Sequence, residues 1–272
     1  MKVFLSVTTT KKRLGLFFYG FQSLVRQNYA DFEIAVNLSK EPYLFDDGIE
    51  SIPDWMTGEN VQVNFVENTG SYRKLLPLIK TVGEADLIIT ADDDVLYSEN
   101  WLSRLVGEAV NHPDSIVCGG ARRISRNIFR RLQNYLSWPL CTATETAMDL
   151  VPVGVFGVAY RKRLVDLEFI TDRAYKEHAP TADDLWFRIA SMRKNIPVHV
   201  VPEVALSNMA FKHKMGLEQV NMFQKKESRG FLARAGTQLW LEFYNYLGLA
   251  PSKNDLAWKA ASEYSRSKPV TQ

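Results

Sequence analysis

A short apolar segment that runs into three consecutive aspartates constrains the fold of this chain most strongly. Residues 86–90 are mostly apolar, which is typical of a strand buried on both faces of a sheet. Asp92, Asp93 and Asp94, the acidic triplet, follow almost at once. Because adjacent carboxylates repel one another, a cation or strong hydrogen bonds must offset the repulsion. The segment therefore predicts a buried sheet with an acidic site at one edge.

Other short apolar segments are also typical of strands, and longer segments between them carry apolar residues at helical spacing. The predicted strands cover residues 3–7, 32–38, 61–66 and 115–118, and the predicted helices cover 14–26, 71–82 and a segment after Asn100. This alternation predicts an α/β fold whose sheet is parallel in its first half. Since parallel sheets bind ligands at the carboxyl ends of their strands, loop 8–13 and the acidic triplet are expected to share one crevice.

Composition narrows the classes of partner and location. The chain has 33 Lys and Arg against 31 Asp and Glu, and the net charge of +2 is too near neutral to argue for nucleic acid. The two cysteines form no CxxC pair, so a zinc site built on thiolates is not predicted. No stretch approaches the ~18 uninterrupted apolar residues of a membrane-spanning helix. We therefore expect a cytoplasmic protein.

A basic segment leaves contact with the cytoplasmic face of a membrane open. Residues 122–136 are predicted to form an amphipathic helix, on which Arg122, Arg126 and Arg130 stack at i, i+4 spacing. Such a face suits the phosphates of a lipid-linked acceptor or an anionic membrane. The alternative is an ordinary solvated face over a stripe of core residues.

The acidic triplet is a candidate metal site. If the segment stays extended, Asp92 and Asp94 point to one side and Asp93 to the other. Mn²⁺ and Mg²⁺ prefer carboxylate oxygens and often take only one or two side chains, with water and substrate phosphates completing the shell. The alternative is a solvated acidic turn, but the apolar strand before the triplet and the aromatic helix after it favour the metal site.

Residues 88–97 resemble the D-x-D segment of GT-A-fold, family-2-like glycosyltransferases. Further segments resemble other motifs of that family in the expected order. They are 6–10 with Arg13 (nucleotide loop), 68–75 (donor side), 153–160 (floor of the acceptor side) and 181–187 (the acidic motif that supplies the base in inverting members). Each motif alone is weak, whereas their order and spacing across residues 1–205 are fairly specific.

The resemblance implies a fold and an activity. It implies a GT-A (Rossmann-like), mixed, mostly parallel central sheet flanked by helices in residues 1–205, with 1–120 binding the nucleotide sugar and 121–205 the acceptor. Residues 206–272 are expected to form a helical extension. The implied enzyme is an inverting, metal-dependent hexosyltransferase that moves a sugar from a nucleoside diphosphate, most commonly UDP, to a hydroxyl of a glycan or glycolipid in polysaccharide biosynthesis.

The resemblance also assigns candidate residues. Asp184 is the expected catalytic base and Asp183 the expected ligand of acceptor hydroxyls, although their order could be reversed. Both carboxylates also suit the start of a helix capped by Thr181, which is a structural alternative. Acceptor-binding candidates are Gly157 and Trp186, and Trp186 is equally plausible as a core residue.

Donor and metal candidates complete the predicted site. The metal, Mn²⁺ or Mg²⁺, is expected to bind Asp92, Asp94 and His213. The nucleotide-sugar-binding candidates are Thr8, Thr9, Thr10, Arg13, Asn68, Lys74, Asp92 and Asp93. Arg13 and Lys74 would stabilise the charge that develops on the leaving diphosphate. The sequence leaves the oligomeric state open.

Three other functions fit the sequence less well. A sugar-nucleotide nucleotidyltransferase would carry a Gly-rich phosphate loop after the first strand, but no glycine precedes Gly15 here. A non-catalytic carbohydrate-binding module would not need two separate carboxylate clusters. A dehydrogenase is disfavoured because no G-x-G-x-x-G follows a strand.

Overall fold

The fold is built around one eight-stranded β-sheet. The structure, a computed structural model, describes residues 1–211, 244–249 and 252–269. Its strands are β1 (Val3–Val7), β2 (Glu33–Leu38), β3 (Val61–Phe65), β4 (Leu87–Ala91), β5 (Val95–Leu96), β6 (Ile116–Cys118), β7 (Ala121–Arg123), β8 (Glu145–Ala147), β9 (Leu150–Pro152), β10 (Val158–Tyr160), β11 (Val198–Val200) and β12 (Met209–Ala210). The central sheet has the order β3-β2-β1-β4-β10-β6-β11-β8, and β5–β12 and β7–β9 form two small sheets.

The register of the central strands decides which loops meet. Strands β3, β2, β1 and β4 are parallel, whereas β10 is antiparallel to both of its neighbours, β4 and β6. Val7 at the end of β1 lies opposite Ala91 at the end of β4. The loop after β1 and the acidic triplet after β4 therefore leave the sheet side by side. The predicted α/β class, with a mixed, mostly parallel sheet, is confirmed.

Helices cover both faces of this sheet. They are α1 (Leu14–Val25), α2 (Leu76–Ile79), α3 (Trp101–Asn111), α4 (Leu167–Ile170), α5 (Tyr175–His178), α6 (Asp183–Arg193) and α7 (Lys253–Ser267). Leu87 and Ile89 of β4 lie in one core with α1 and α3, whereas Ile88 lies in a second core with α2, α6 and α7. This two-sided burial explains the uniformly apolar sequence of β4. None of the helices in the described part is long and apolar enough to cross a bilayer.

Two predicted helices differ in the structure. The helix expected over 71–82 is divided into a 3-10 turn, Gly70–Lys74, and the short α2, with Pro77 in its first turn. The prediction of a helix over 122–136 is wrong, because this segment begins within strand β7 and continues as a hairpin. The Asn127 side-chain oxygen accepts the N–H groups of Phe129 and Arg131, which offers the backbone an alternative to helical bonding.

Helix α7 packs against the sheet-bearing part of the chain. Ser252 and Asp255 form a capping box at its start, and Asp255 also accepts the backbone N–H of Tyr135. Further along, Trp258 meets Trp138 edge to face, with ring centroids 5.4 Å apart. This helix therefore shares the hydrophobic core of residues 1–205. The predicted division of the chain at residue 206 stays a prediction.

The backbone at Gly157 provides a test of the fold. We expect Gly157→Ala to destabilise the protein by about 2–4 kcal/mol, because the residue has a φ of 87° and a Cβ there would lie 2.3 Å from the buried Trp101 ring. Urea denaturation would measure the change in the free energy of unfolding. Gly107→Ala in α3 is the control, since its Cβ would meet open space and should stabilise by about 0.5–1 kcal/mol. Equal unfolding midpoints for Gly157→Ala and the parent would contradict this view.

Candidate active site

The loop after β1 holds the acidic triplet by direct contacts. The Thr9 hydroxyl donates to Asp93 Oδ2 at 2.6 Å. One guanidinium nitrogen of Arg13 lies 2.6 Å from both Asp93 Oδ1 and Asp94 Oδ2. The chain turns at Asp93 and Asp94 rather than staying extended. The condition of that expectation, an extended segment, is therefore not met: Asp93 and Asp94 share Arg13, whereas Asp92 contacts Lys74.

A buried ion pair beneath the loop fixes its position. Arg73 is buried and donates to Asp46 Oδ2 at 2.8 Å and to the Thr9 carbonyl at 3.2 Å. Asp46 also accepts the backbone N–H of Lys11 and an amide N–H of Asn68. The sequence prediction missed Asp46, because nothing in its local sequence sets it apart from an ordinary loop aspartate. Asn68, a predicted donor-binding residue, supports this ion pair through a buried side chain.

Lys74 joins the two acidic segments of the predicted site. Its Nζ lies 3.2 Å from Asp92 Oδ1, 2.9 Å from Asp183 Oδ2 and 3.6 Å from Asp184 Oδ1. The lysine ends the 3-10 turn Gly70–Lys74, from which Ser71 also donates to Asp183 Oδ1 at 2.8 Å. Three segments that are distant in sequence therefore meet within one crevice at the carboxyl end of β4.

The acidic pair begins helix α6. Asp183 is its first residue and Ala182 its N-cap, so the expected cap at Thr181 is wrong. Both carboxylates lie at the positive end of the helix, which favours their ionised forms. Asp184 Oδ2 accepts the backbone N–H of Gly154 at 2.8 Å. A Cβ at Gly154 would lie 2.8 Å from Lys74 Nζ, so the absence of a side chain lets this backbone approach the cluster.

Burial shifts the pKa values of several groups in the crevice. Desolvation raises the pKa of Asp93 to about 6, against the lowering effect of Arg13. Desolvation likewise raises the pKa of Asp184 to about 7, although Lys74 opposes the change. Burial lowers the pKa of Lys74, but the carboxylates of Asp183 and its neighbours together raise it well above its usual value. Lys74 is therefore a fixed positive charge, whereas Asp184 can exchange a proton near neutral pH.

Aromatic residues connect the acidic triplet to the opposite wall. The Tyr97 hydroxyl accepts the backbone N–H of Asp92 at 2.9 Å, and its ring lies 4.1 Å from that of Trp101. Trp101 Nε1 donates to the Phe156 carbonyl at 3.0 Å. Gly157 follows directly and lies against the Trp101 ring. Gly157, a predicted acceptor-binding residue, thus lets residues 153–160 pack closely against Trp101 at the start of α3.

The remaining predicted residues, Thr8, Thr10 and Trp186, differ in their surroundings. The Thr8 hydroxyl donates to the Asn37 carbonyl at 2.6 Å, and Thr10 is the half-buried cap of the turn Lys11–Arg13. Trp186 is fully buried, stacks on Phe169 and donates to the Ile170 carbonyl, so its side chain lies in the core and does not face the crevice. Its predicted contact with the acceptor is corrected accordingly.

His213, the third predicted metal ligand, lies outside the described residues. The chain nevertheless reaches the acidic triplet just before it. Strand β12 pairs with β5, and the backbone N–H of Phe211 donates to the Asp94 carbonyl at 2.8 Å. Phe211 precedes His213 by two residues in the sequence.

The donor set suits a hard divalent cation. Within the described part of the chain, two cations, Arg13 and Lys74, are shared by the five carboxylates of the acidic triplet and the pair Asp183–Asp184. Negative charge therefore exceeds positive charge. The side chains of Asp92 and Asp94 keep 29% and 19% of their surface exposed. Carboxylate oxygens that remain accessible in this way match the ligand preference of Mn²⁺ and Mg²⁺.

Comparison with known families identifies the family of this chain. The family described as "Glycosyl transferase family 2" matches residues 20–166, which is more than half of the chain. The chain belongs to glycosyl transferase family 2. The matched segment includes Lys74, the acidic triplet and Gly157, but ends before Asp183 and Asp184.

Solved structures with a similar chain trace include TarS of S. aureus. Residues 1–349 of TarS align with 75% of this chain and 58% of their own length, at 18% identity and a TM-score of 0.48. The same fragment in complex with UDP gives 17% identity and a TM-score of 0.48 over the same shares. This family 2 chain thus spans less than two thirds of those structures. A search of curated protein sequences finds no significant match.

Proposed function

We propose that this family 2 chain transfers a sugar from a nucleoside diphosphate, with UDP as the preferred nucleotide, to a hydroxyl of a glycan or glycolipid in polysaccharide biosynthesis. The contact of Lys74 with both Asp92 and Asp183 is the observation that carries the proposal. The Lys74 ammonium group thus contacts Asp92, the proposed donor-side carboxylate, and Asp183, the proposed acceptor-side carboxylate. A transferase needs this arrangement, because donor and acceptor must meet with their reacting atoms in contact.

The donor half is assigned to the loop after β1 and the acidic triplet. Thr8, Thr9 and Thr10 would lie beside the nucleoside, and Arg13 and Lys74 would stabilise the diphosphate. Asp92 and Asp94 would hold Mn²⁺ or Mg²⁺, with His213 as a candidate third ligand. That ion would neutralise charge that develops on the leaving diphosphate.

The acceptor half is assigned to Asp184, with Asp183 as its neighbour. In the proposed step the acceptor hydroxyl oxygen attacks the anomeric carbon and its proton passes to the Asp184 carboxylate. The attack comes from the face opposite the bond between the anomeric carbon and the diphosphate oxygen, and as that bond breaks the configuration inverts. A pKa raised to about 7 suits a base that works near neutral pH. Asp183 is held by Ser71 and Lys74 and would orient the acceptor.

A glycolipid acceptor is supported by the hairpin 124–134. At its tip the side chains of Ile128 and Phe129 are 79% and 66% exposed. Arg126, Arg130 and Arg131 flank them, are exposed, and form no ion pair with the described residues. Apolar residues at a tip, surrounded by arginines, suit insertion into an anionic membrane surface. The proposed membrane contact is therefore peripheral.

The metal assignment predicts the behaviour of Asp94→Ala. UDP with Mn²⁺ should raise the melting temperature of the parent protein by mass action and should leave Asp94→Ala nearly unchanged. A thermal-shift titration with and without Mn²⁺ measures this effect. Asp86→Ala is the matched control, because Asp86 lies just before the opposite end of β4 and bonds the backbone of Lys2 and Gly83. An equal shift in Asp94→Ala would remove Asp94 from the metal site.

The base assignment predicts the behaviour of Asp184→Asn. This variant should bind the donor as the parent does but lose transfer by about 10²-fold or more, since the amide accepts no proton. In the parent, kcat/KM should rise with pH through about 7, because the ionised carboxylate is the active form. The rate of sugar transfer to a glycan acceptor, measured over a range of pH for the parent and for Asp184→Asn, tests both the loss of transfer and the pH dependence. A larger loss in Asp183→Asn would exchange the two roles.

The hairpin predicts binding to anionic vesicles. Changing both Ile128 and Phe129 to Ser should weaken sedimentation with phosphatidylglycerol vesicles by about 10-fold or more, because two apolar side chains no longer leave water. Leu206→Ser is the matched control, as Leu206 is 77% exposed but lies outside the hairpin. If the hairpin variant and Leu206→Ser bind phosphatidylglycerol vesicles equally well, the result counts against a membrane-bound acceptor. The same holds if the parent protein binds neutral phosphatidylcholine vesicles as well as it binds phosphatidylglycerol vesicles.

A further inference from the structure

Arg122 is a half-buried cation in strand β7. One N–H of its guanidinium group donates to the Trp138 carbonyl at 2.7 Å, and the group lies over the Tyr135 ring, 5.3 Å from the ring centroid. Among the residues that the structure describes, no carboxylate forms an ion pair with Arg122. Because a guanidinium group has five N–H donors, the contacts with Trp138 and Tyr135 leave donors for a ligand.

The next residue of the strand provides a contrast. The Arg123 guanidinium contacts the carboxylates of both Glu145 and Asp149. Successive side chains of a strand point to opposite faces, so Arg122 and Arg123 lie on different sides of β7. The charge of Arg123 is therefore balanced within the chain, whereas the charge of Arg122 can balance a negative group of a ligand.

Strand β7 brings Arg122 close to Asp184, the proposed base. In the pairing of β7 with β9, Arg122 lies opposite Val151. Three residues after Val151, the backbone N–H of Gly154 donates to Asp184 Oδ2 at 2.8 Å. Since three residues of extended chain span at most about 11 Å, Arg122 lies near the acceptor side of the crevice.

The hydroxyl of Tyr135 experiences the charges of both residues. Burial raises the pKa of Tyr135 to about 12, Asp184 adds to the rise, and Arg122 opposes it. Arg122 and Asp184 therefore both lie within electrostatic range of this one buried side chain. The cation and the proposed base thus belong to the same region of the protein.

The hairpin that follows β7 extends the positive charge toward its tip. Arg126, Arg130 and Arg131 are exposed on it. A series of arginines beginning beside the crevice suits phosphate groups, whose oxygens match the paired N–H donors of a guanidinium group. Such a phosphate could belong to the lipid that carries a glycan or to the glycan itself.

We propose that Arg122 binds a phosphate ester carried by the acceptor and so holds the attacked hydroxyl beside Asp184. The inference rests on the proposed function, because it concerns the acceptor of the same transfer. Negative charge exceeds positive charge around Lys74, so a phosphorylated acceptor needs a further cation on this side. Trp138 and Tyr135 already hold the guanidinium group in place, which lowers the entropy lost on binding.

Binding of a hexose phosphate, glucose 6-phosphate, tests the proposal. Phosphorus NMR titrations of the full chain, with UDP and Mg²⁺ in excess to fill the donor site, measure its Kd. Arg122→Gln should raise this Kd about 10- to 100-fold, because a hydrogen-bonded contact with a charged group is lost. Arg122→Lys keeps the charge without the paired donors and should recover part of the affinity.

Arg123→Gln is the matched control, because Arg123 is the neighbouring arginine and is paired with carboxylates. It should bind the hexose phosphate as the parent does. Equal Kd values in the parent and Arg122→Gln, or equal losses in Arg122→Gln and Arg123→Gln, would overturn the proposal.

The response to UDP separates this inference from the proposed function. UDP with Mg²⁺ should raise the Tm of Arg122→Gln as it raises that of the parent, since Arg122 lies outside the donor half. A parent protein that does not respond to UDP contradicts the proposed function. In that case the Kd of the hexose phosphate in the parent and in Arg122→Gln still decides whether Arg122 binds phosphate.

Octyl phosphate distinguishes the two sources of the phosphate. If the parent binds octyl phosphate more tightly than the hexose phosphate, the phosphate belongs to a lipid, because the alkyl chain then finds an apolar contact beside Arg122. The reverse order indicates a phosphorylated glycan. In both cases Arg122→Gln should weaken the preferred ligand by about 10-fold or more. If the parent binds neither ligand, the proposal is wrong.

Discussion

The buried ammonium group of Lys74 is the interaction on which the crevice depends. It lies within 3.6 Å of carboxylates at the end of β4 and at the start of α6. Without that cation, Asp183 and Asp184 would face Asp92 as like charges in a poorly solvated place, which is strongly unfavourable. Without the carboxylates, burial of the ammonium would be equally unfavourable. The turn Gly70–Lys74 therefore supplies one cation that balances the carboxylates at the end of β4 and at the start of α6.

Much of this arrangement could be predicted from the sequence, because several signals are local. The apolar run before Asp92 identifies a strand buried on both faces, and the parallel sheet then places its carboxyl end beside the loop after β1. The contacts of Thr9 and Arg13 with the acidic triplet follow from that register. The order of the motifs predicted the family, and the match to residues 20–166 confirmed it.

Other features depend on contacts between distant residues, and local patterns do not contain them. Asp46 looks like an ordinary loop residue until Arg73 is folded beneath it. The spacing of Arg122 and Arg126 predicts a helix, yet the Asn127 side chain competes for the backbone and forms a hairpin. Trp186 occurs in an acidic motif, but its ring is needed between Phe169 and Tyr264 in the core.

The position of β10 has a consequence for how the chain acquires its fold during synthesis. Strand β10 lies between β4 and β6, so the strands made first cannot complete a continuous sheet until residues 158–160 have left the ribosome. Until then the inner edges of β4 and β6 present unpaired backbone groups, a state prone to wrong pairing. The antiparallel insertion thus joins the strands β3-β2-β1-β4 to the strands β6-β11-β8, and the sheet stays in two parts until β10 pairs with both.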